Sequence, residues 1–144
     1  MKRHESLAPL SREHHSALIL CQLLKHTAPD YKGLPKDPVA KAVYATNLFY
    51  TALQPHFIKE EALLLIIKNC SEKIDTLAGE ILQEHAQLTA AFISLGKATD
   101  LEQALHELGE NLEKHIRKEE RELFPLIQQH CGTALLAEVK DLLH

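Results

Sequence analysis

Two copies of one pattern hold most of the chemistry available to this chain. Glu13-His14 is followed by His56-x-x-x-Glu60-Glu61, and Glu84-His85 by His115-x-x-x-Glu119-Glu120. Imidazole nitrogens and carboxylate oxygens are donors that suit first-row transition metals. On a helix, residues i and i+4 lie one turn apart and roughly 40° round the axis. His56 with Glu60, and His115 with Glu119, can therefore reach one metal ion or two adjacent ones. The second glutamates, Glu61 and Glu120, are turned roughly 140° from their histidines and are expected to point away. On that reading Glu120→Ala should change metal content little. One H-x-x-x-E is a weak signal, but two copies, each preceded by an E-H pair, are a strong one.

The surroundings of these histidines matter more than their spacing. His56 shares a helix face with Ala45, Phe49, Ala52, Leu63 and Ile67. His85 shares one with Ile74, Ala78, Ile81, Leu82, Leu88 and Phe92, and His115 with Leu101, Ala104, Leu108, Leu112 and Leu126. Each sits in the middle of an apolar stripe, which is the core-facing side of an amphipathic helix. For the first helix two residues compete. His14 lies with Leu7, Leu10, Ala17, Leu18, Cys21 and Leu24, and is preferred. His15, roughly 100° round the axis, stays an alternative because Ile19, Leu20 and Leu23 widen the apolar surface. Burying these groups unpaired would be costly, and a shared metal removes the penalty.

Six donors exceed what one structural zinc takes. Nitrogen and carboxylate donors inside a helical bundle suit a di-iron or di-manganese pair. With two six-coordinate irons, both glutamates bridging and an oxo or hydroxo bridge, roughly one position per iron stays open. The other histidines, His4, His26, His106, His130 and His144, read as surface or terminal residues. Glu13 and Glu84 are either solvated or acceptors for a neighbouring imidazole. Tyr44 and Tyr50 read mainly as packing residues, and the charged run from Lys114 to Glu122 as a solvated face.

The elements that must position these groups are helical. Leu, Ala, Glu, Lys and Gln dominate, and glycine is sparse, with five in 144 residues. A first helix is expected from about Ser11, or slightly earlier, to about His26. Thr27 to Pro38 reads as a loop through Pro29, Gly33, Pro35 and Pro38. A second helix runs from Pro38 to about Asn69, kinked at Pro55. A third runs from about Ser71 to Leu95, stopped at Gly96. A fourth runs from about Ala98 to His130, with Pro125 kinking or ending it. Gly132 then breaks the chain, and Thr133 caps a short last helix to Leu143. Short turns between the later helices favour antiparallel neighbours, giving an all-α, up-down four-helix bundle in one domain spanning residues 1–144. The histidine interval is 42 residues in the first half and 30 in the second, and the long first loop accounts for most of the difference.

Composition narrows the function classes. The formal charge is -4, with both signs interspersed, so the basic stripe of a nucleic-acid-binding protein is missing. No apolar run approaches the length of a membrane span, and the start lacks a signal-type apolar stretch. A cytoplasmic protein is expected. Cys21, Cys70 and Cys131 are far apart in sequence, form no C-x-x-C, and read as idle thiols in a reducing compartment.

The segments LSREHHSAL, HFIKEEALL, EHAQL and HIRKEERELFPLI resemble the four metal-binding segments of the hemerythrin-like HHE cation-binding family, over about Leu7 to Gln129. The most specific part is H-x-x-x-E-E followed by L-F-P, from His115 to Pro125. The resemblance implies a metal-ligand set of His14, His56, Glu60, His85, His115 and Glu119, holding two iron ions under an oxo or hydroxo bridge. It implies a protein that binds or senses dioxygen, nitric oxide or peroxide. The alternative is a di-iron enzyme or iron-handling protein, acting in peroxide or nitric oxide reduction, iron storage or iron–sulfur cluster repair. The partner is then a small diatomic or peroxide ligand, with a homodimer or a separate redox or signalling partner left open. Oxygen-carrying hemerythrins resemble this plan but have a fifth histidine one turn from the third-helix ligand. Here those neighbours are Ile81 and Thr89, which argues against simple reversible oxygen carriage.

Overall fold

In the computed structural model, which describes residues 2–144, the regular structure is all helical, with no strand among those residues. Seven α-helices follow in order: α1 (Ala8–Leu24), α2 (Pro38–Leu48), α3 (Gln54–Ile66), α4 (Glu72–Ile93), α5 (Leu101–Lys118), α6 (Phe124–His130) and α7 (Thr133–Leu143). A π turn, Phe49–Leu53, joins α2 to α3 without a break, and a second, Glu119–Leu123, joins α5 to α6. The expected long second and fourth helices are therefore present, each as two α segments.

Each π turn ends two residues before a proline: Pro55 and Pro125 are the second residues of α3 and α6. A proline lacks the N–H of the regular ladder and crowds the carbonyl one turn back. The wider π turn is a local way to accommodate this within a continuous helix. It also changes which residue faces inward. Leu53 is buried in place of Ala52, which is exposed, contrary to the α-periodic expectation. Leu82 is likewise 44% exposed, because Ile81 takes the inward position on its turn.

The helix starts follow side-chain chemistry. Asp37, Ser71 and Asp100 each accept a hydrogen bond from the backbone N–H three residues on, opening α2, α4 and α5. Thr133 is not a cap: it is the first residue of α7, and Gly132 holds the capping position without a side chain. The α3–α4 turn is tight, with Asn69 at φ 70°, a left-handed conformation that asparagine tolerates.

Two apolar clusters make the core. One gathers Leu20, Phe49, Phe57, Leu88, Phe92, Leu108 and Leu112 with their neighbours. The other gathers Leu7, Leu10, Leu63, Ile74, Ile81, Phe124 and Ile127, and receives Leu136 and Val139 of α7. Each Leu, Ile or Phe so buried stabilises the fold by about 1.5–3 kcal/mol. In α1 the first cluster holds residues from Ala17 onward and the second holds Leu7 and Leu10, with His14 between. In α4 the second cluster holds Ile74 and Ile81, the first Leu88 and Phe92, with His85 between. The polar donors thus form a layer between two greasy ones.

α1 packs most extensively on α5. The approach is close at Gly109, where an added Cβ would stand 2.8 Å from the Cys21 carbonyl oxygen. Cys70 and Cys131, read from sequence as separate thiols, lie with their Sγ atoms 3.0 Å apart. No described helix is long and apolar enough to cross a membrane.

Candidate metal centre

α1, α3, α4 and α5 each bring one histidine to the middle layer, and every one of them is at most 3% exposed: His14, His56, His85 and His115. Glu60, one turn after His56, and Glu119, one turn after His115, are buried with them. His15 is exposed, so the helix-one alternative falls outside the cluster. Asn111, Glu122 and Tyr50 are exposed as well, and Tyr44 packs against the first apolar cluster.

The six residues make two overlapping groups. His14, His56, Glu60 and Glu119 form one; Glu60, His85, His115 and Glu119 form the other. Within each, one donor atom per residue lies within 4.8 Å of all the others. Both carboxylates belong to both groups. The imidazole Nε2 atoms stand 3.1–3.6 Å from carboxylate oxygens: His14 from Glu119 at 3.1 Å and from Glu60 at 3.6 Å, His56 from Glu60 at 3.2 Å, His115 from Glu119 at 3.3 Å. Cis donors on an octahedral ion with bonds of about 2.1 Å are about 3.0 Å apart, close to this spacing.

Hydrogen bonding explains which atoms face inward. The Nδ1–H of each histidine donates to a glutamate of a neighbouring helical rod. His56 donates to Glu13 at 2.8 Å, His85 to Glu61 at 3.0 Å, His115 to Glu84 at 2.7 Å and His14 to Glu120 at 2.7 Å. The four bonds close a ring: α1 holds α3, α3 holds α4, α4 holds α5, and the turn after α5 holds α1. A carboxylate only accepts, so Nδ1 carries a proton, and a neutral imidazole held this way turns the lone pair of Nε2 to the interior, where Nε2 of His85 lies 3.1 Å from Glu60.

The holding glutamates are themselves held. Lys59 binds Glu13 at 2.9 Å, and Lys118 binds Glu84. Ser11 and Arg3 bind Glu120 at 2.8 and 3.1 Å. The expectation that Glu61 and Glu120 simply point away is therefore corrected. They do turn from the cluster, but onto the outer nitrogens of His85 and His14. The sequence signal was present in the repeat: both copies read H-x-x-K-E-E, and all three of those last residues have parallel roles in the two halves, save that Glu61 has no cationic partner among the described residues.

Inside the ring, hydrogen bonding does not finish the job. Among the described residues, Nε2 of His14, His56 and His115, Oε2 of Glu60 and both oxygens of Glu119 are buried without a hydrogen-bond partner. Such groups are costly to bury unsatisfied. Their acidities show the same conflict. Burial and the facing Glu60 push the Glu119 carboxyl well above the usual range. Burial would also raise Glu60, but the neighbouring Glu119 and the histidines hold it well below. Burial would lower His14, yet Glu119, Glu120 and Glu60 outweigh it and raise it to about 11. Burial lowers His115. A cation shared by these atoms would satisfy all of them together, so the donor set fits a metal site.

Aromatic rings wall the layer. Phe57 stacks on His85 with centroids 4.0 Å apart, and Phe124 stacks on His14 at 5.8 Å. One turn from His85, Ile81 is fully buried and apolar, so no fifth imidazole reaches in from there.

Fold and site together define an all-helical protein with a buried histidine–glutamate cluster suited to metal cations. The model of the hemerythrin HHE cation-binding domain matches residues 6–127, most of the chain, and the chain belongs to that family. No curated protein and no solved structure matches it significantly.

Proposed function

We propose that this is an up-down four-helix bundle of the hemerythrin type that holds two iron ions and binds or senses dioxygen, nitric oxide or peroxide. The up-down reading is supported by the order in which the chain visits the two apolar clusters. α1 runs from the second to the first, α2–α3 returns, α4 runs out again and α5–α6 returns. The observation that carries the metal reading is the pair of overlapping groups sharing both carboxylates. One group would hold one ion through His14 and His56, the other a second ion through His85 and His115, with Glu60 and Glu119 common to both.

When bound, such an iron pair supplies redox-active Lewis-acid positions for small oxygen or nitrogen ligands. The protein's own contribution is orientation and exclusion. The glutamate ring fixes each imidazole tautomer and raises its basicity. Phe57, Phe124 and Ile81 keep the layer apolar on its flanks, which limits water around the site.

A cytoplasmic location fits this reading. A second reading, a di-iron enzyme or iron-handling protein, is favoured by a cleft of about 820 Å³ between α4 and α5 that reaches Glu84 and His115. Of the six donors its lining includes His115, whose outer nitrogen is on Glu84, so a reactant would approach the layer from that side. Rapid peroxide consumption by the iron form supports that reading, and a stable reversible oxygenated spectrum supports the binder.

The first test is elemental analysis of protein purified without added metal, with an optical spectrum alongside. The expected result is close to two irons per chain, with oxo-bridged ferric absorption in the near ultraviolet. No metal, and no uptake after anaerobic ferrous reconstitution, would overturn the proposal.

A further inference from the structure

Cys70 and Cys131 are 61 residues apart in sequence, yet their Sγ atoms lie 3.0 Å apart at one end of the molecule. Both are held at fixed backbone positions. Cys70 follows the left-handed Asn69, donates its N–H to the Ile67 carbonyl, and precedes Ser71, the cap of α4. Cys131 terminates α6, with its N–H on the Ile127 carbonyl at 2.9 Å. The two backbones thus hold the side chains in register. Neither thiol belongs to the histidine–glutamate layer, and both pack in the second apolar cluster.

We propose that Cys70 and Cys131 form a reversible dithiol–disulfide site, oxidised by exchange with a low-molecular-weight disulfide. Cys70 is partly exposed and Cys131 is 6% exposed, which sets the order of events. The Cys70 thiolate attacks one sulfur of the small disulfide, forming a mixed disulfide and releasing one small thiolate, which takes up a proton. Cys131 then gives up its proton and its thiolate attacks Sγ of Cys70. The Cys70–Cys131 bond forms, the mixed disulfide breaks, and the second small thiol leaves. Two electrons pass from the protein to the small disulfide, giving two small thiols. Burial and the adjacent Cys70 sulfur push the Cys131 thiol up to about 12, consistent with Cys70 acting first. Cys21 is fully buried in the other apolar cluster and takes no part.

The bond would close a loop over residues 70–131, the stretch that contains His85, His115 and Glu119. Closing a long loop restricts the unfolded chain and raises the unfolding temperature. The site does not depend on which metal or ligand the histidine–glutamate layer takes.

The test incubates the full-length chain with oxidised glutathione, quenches with acid and measures intact mass and linked peptides. The expected product is lighter by two hydrogen atoms, links the Cys70 and Cys131 peptides, leaves Cys21 as the one titratable thiol, and reverts with dithiothreitol. Its thermal midpoint rises above that of the reduced protein, and Cys70→Ser abolishes the rise. Cys131→Ser is expected to stop at a glutathione adduct on Cys70. Three thiols that persist after incubation, an adduct on Cys70 that never closes in the parent chain, or a linkage through Cys21 or between chains would each overturn the proposal. If Cys131→Ser does not fold, the parent chain's mass and Cys70→Ser, whose position is partly exposed, still decide the matter.

Discussion

Glu120 concentrates the lesson at the residue scale. Its Oε2 accepts from His14 Nδ1 and from Ser11, while Arg3 reaches both its carboxylate and its carbonyl. Burial would raise its pKa, but those hydrogen bonds outweigh it and hold the carboxyl below its ordinary value, so it stays ionised beside the imidazole. Removing a carboxylate that orients a ligand histidine typically weakens metal binding by about 10- to 100-fold. Glu120→Ala should therefore lower ferrous affinity by that order, measured by competition with a chromogenic chelator, and Glu122→Ala should leave it unchanged. Equal affinity in Glu120→Ala and the parent would remove the glutamate ring from the account. Glu119→Ala and His115→Ala should do more, sharply lowering metal content while most helical circular dichroism is retained. The acid–base sign follows from the same atoms. A bound metal needs neutral imidazole nitrogen and ionised carboxylate. Since His14 is raised to about 11 and Glu119 is raised well above the usual carboxylate range, protons must leave when the metal arrives. Metal uptake in weakly buffered solution near neutrality should acidify it, and affinity should fall as the pH is lowered; a pH-independent affinity would contradict this.

The elements place those residues by their ends and their closest contacts. Three polar caps start α2, α4 and α5, and two π turns carry the helices past Pro55 and Pro125. The α1–α5 crossing depends on Gly109. A methyl group there would meet the Cys21 carbonyl oxygen at 2.8 Å and the Leu24 Cβ at 3.2 Å. The first of these is backbone and has little room to yield. In an exposed helix, alanine would be favoured over glycine by about 1 kcal/mol. Here overpacking should reverse that preference, so Gly109→Ala should destabilise the protein by about 1–3 kcal/mol in urea denaturation. A gain in stability would show that α1 and α5 can separate freely. Because His14 and His115 ride on these two helices, the same variant should also weaken metal binding.

At the scale of the whole molecule, the polar layer lies between two apolar clusters and opposes folding until its charges are matched. Binding a ligand to the folded state alone stabilises it in proportion to the logarithm of its concentration over the dissociation constant. Ferrous loading should therefore raise the thermal midpoint, and a strong chelator should lower it. His115→Ala should abolish the difference between the two. An identical midpoint with and without metal would mean that the layer is already satisfied by the protein alone.

The repeat, the apolar stripes and the breakers were legible in the sequence because helix periodicity and metal-donor spacing are local. They place His14, His56, Glu60, His85, His115 and Glu119 on inward faces and divide the chain near its observed turns. Other features were not legible, because they depend on which residue meets which across separate helices. Ala52 and Leu82 were placed inward by an ideal α period, but a π turn and the true packing direction turned them out. Glu61 and Glu120 were correctly turned from their own histidines, but whose nitrogen they would meet is a matter of neighbouring helices. The nearness of Cys70 to Cys131 likewise comes from two turns that share one end of the molecule. Sequence by itself determined the donors and the faces that carry them. Only the tertiary structure decided how the donors hold one another, since hydrogen bonds and close contacts between helices are set by packing across distances the local pattern does not encode.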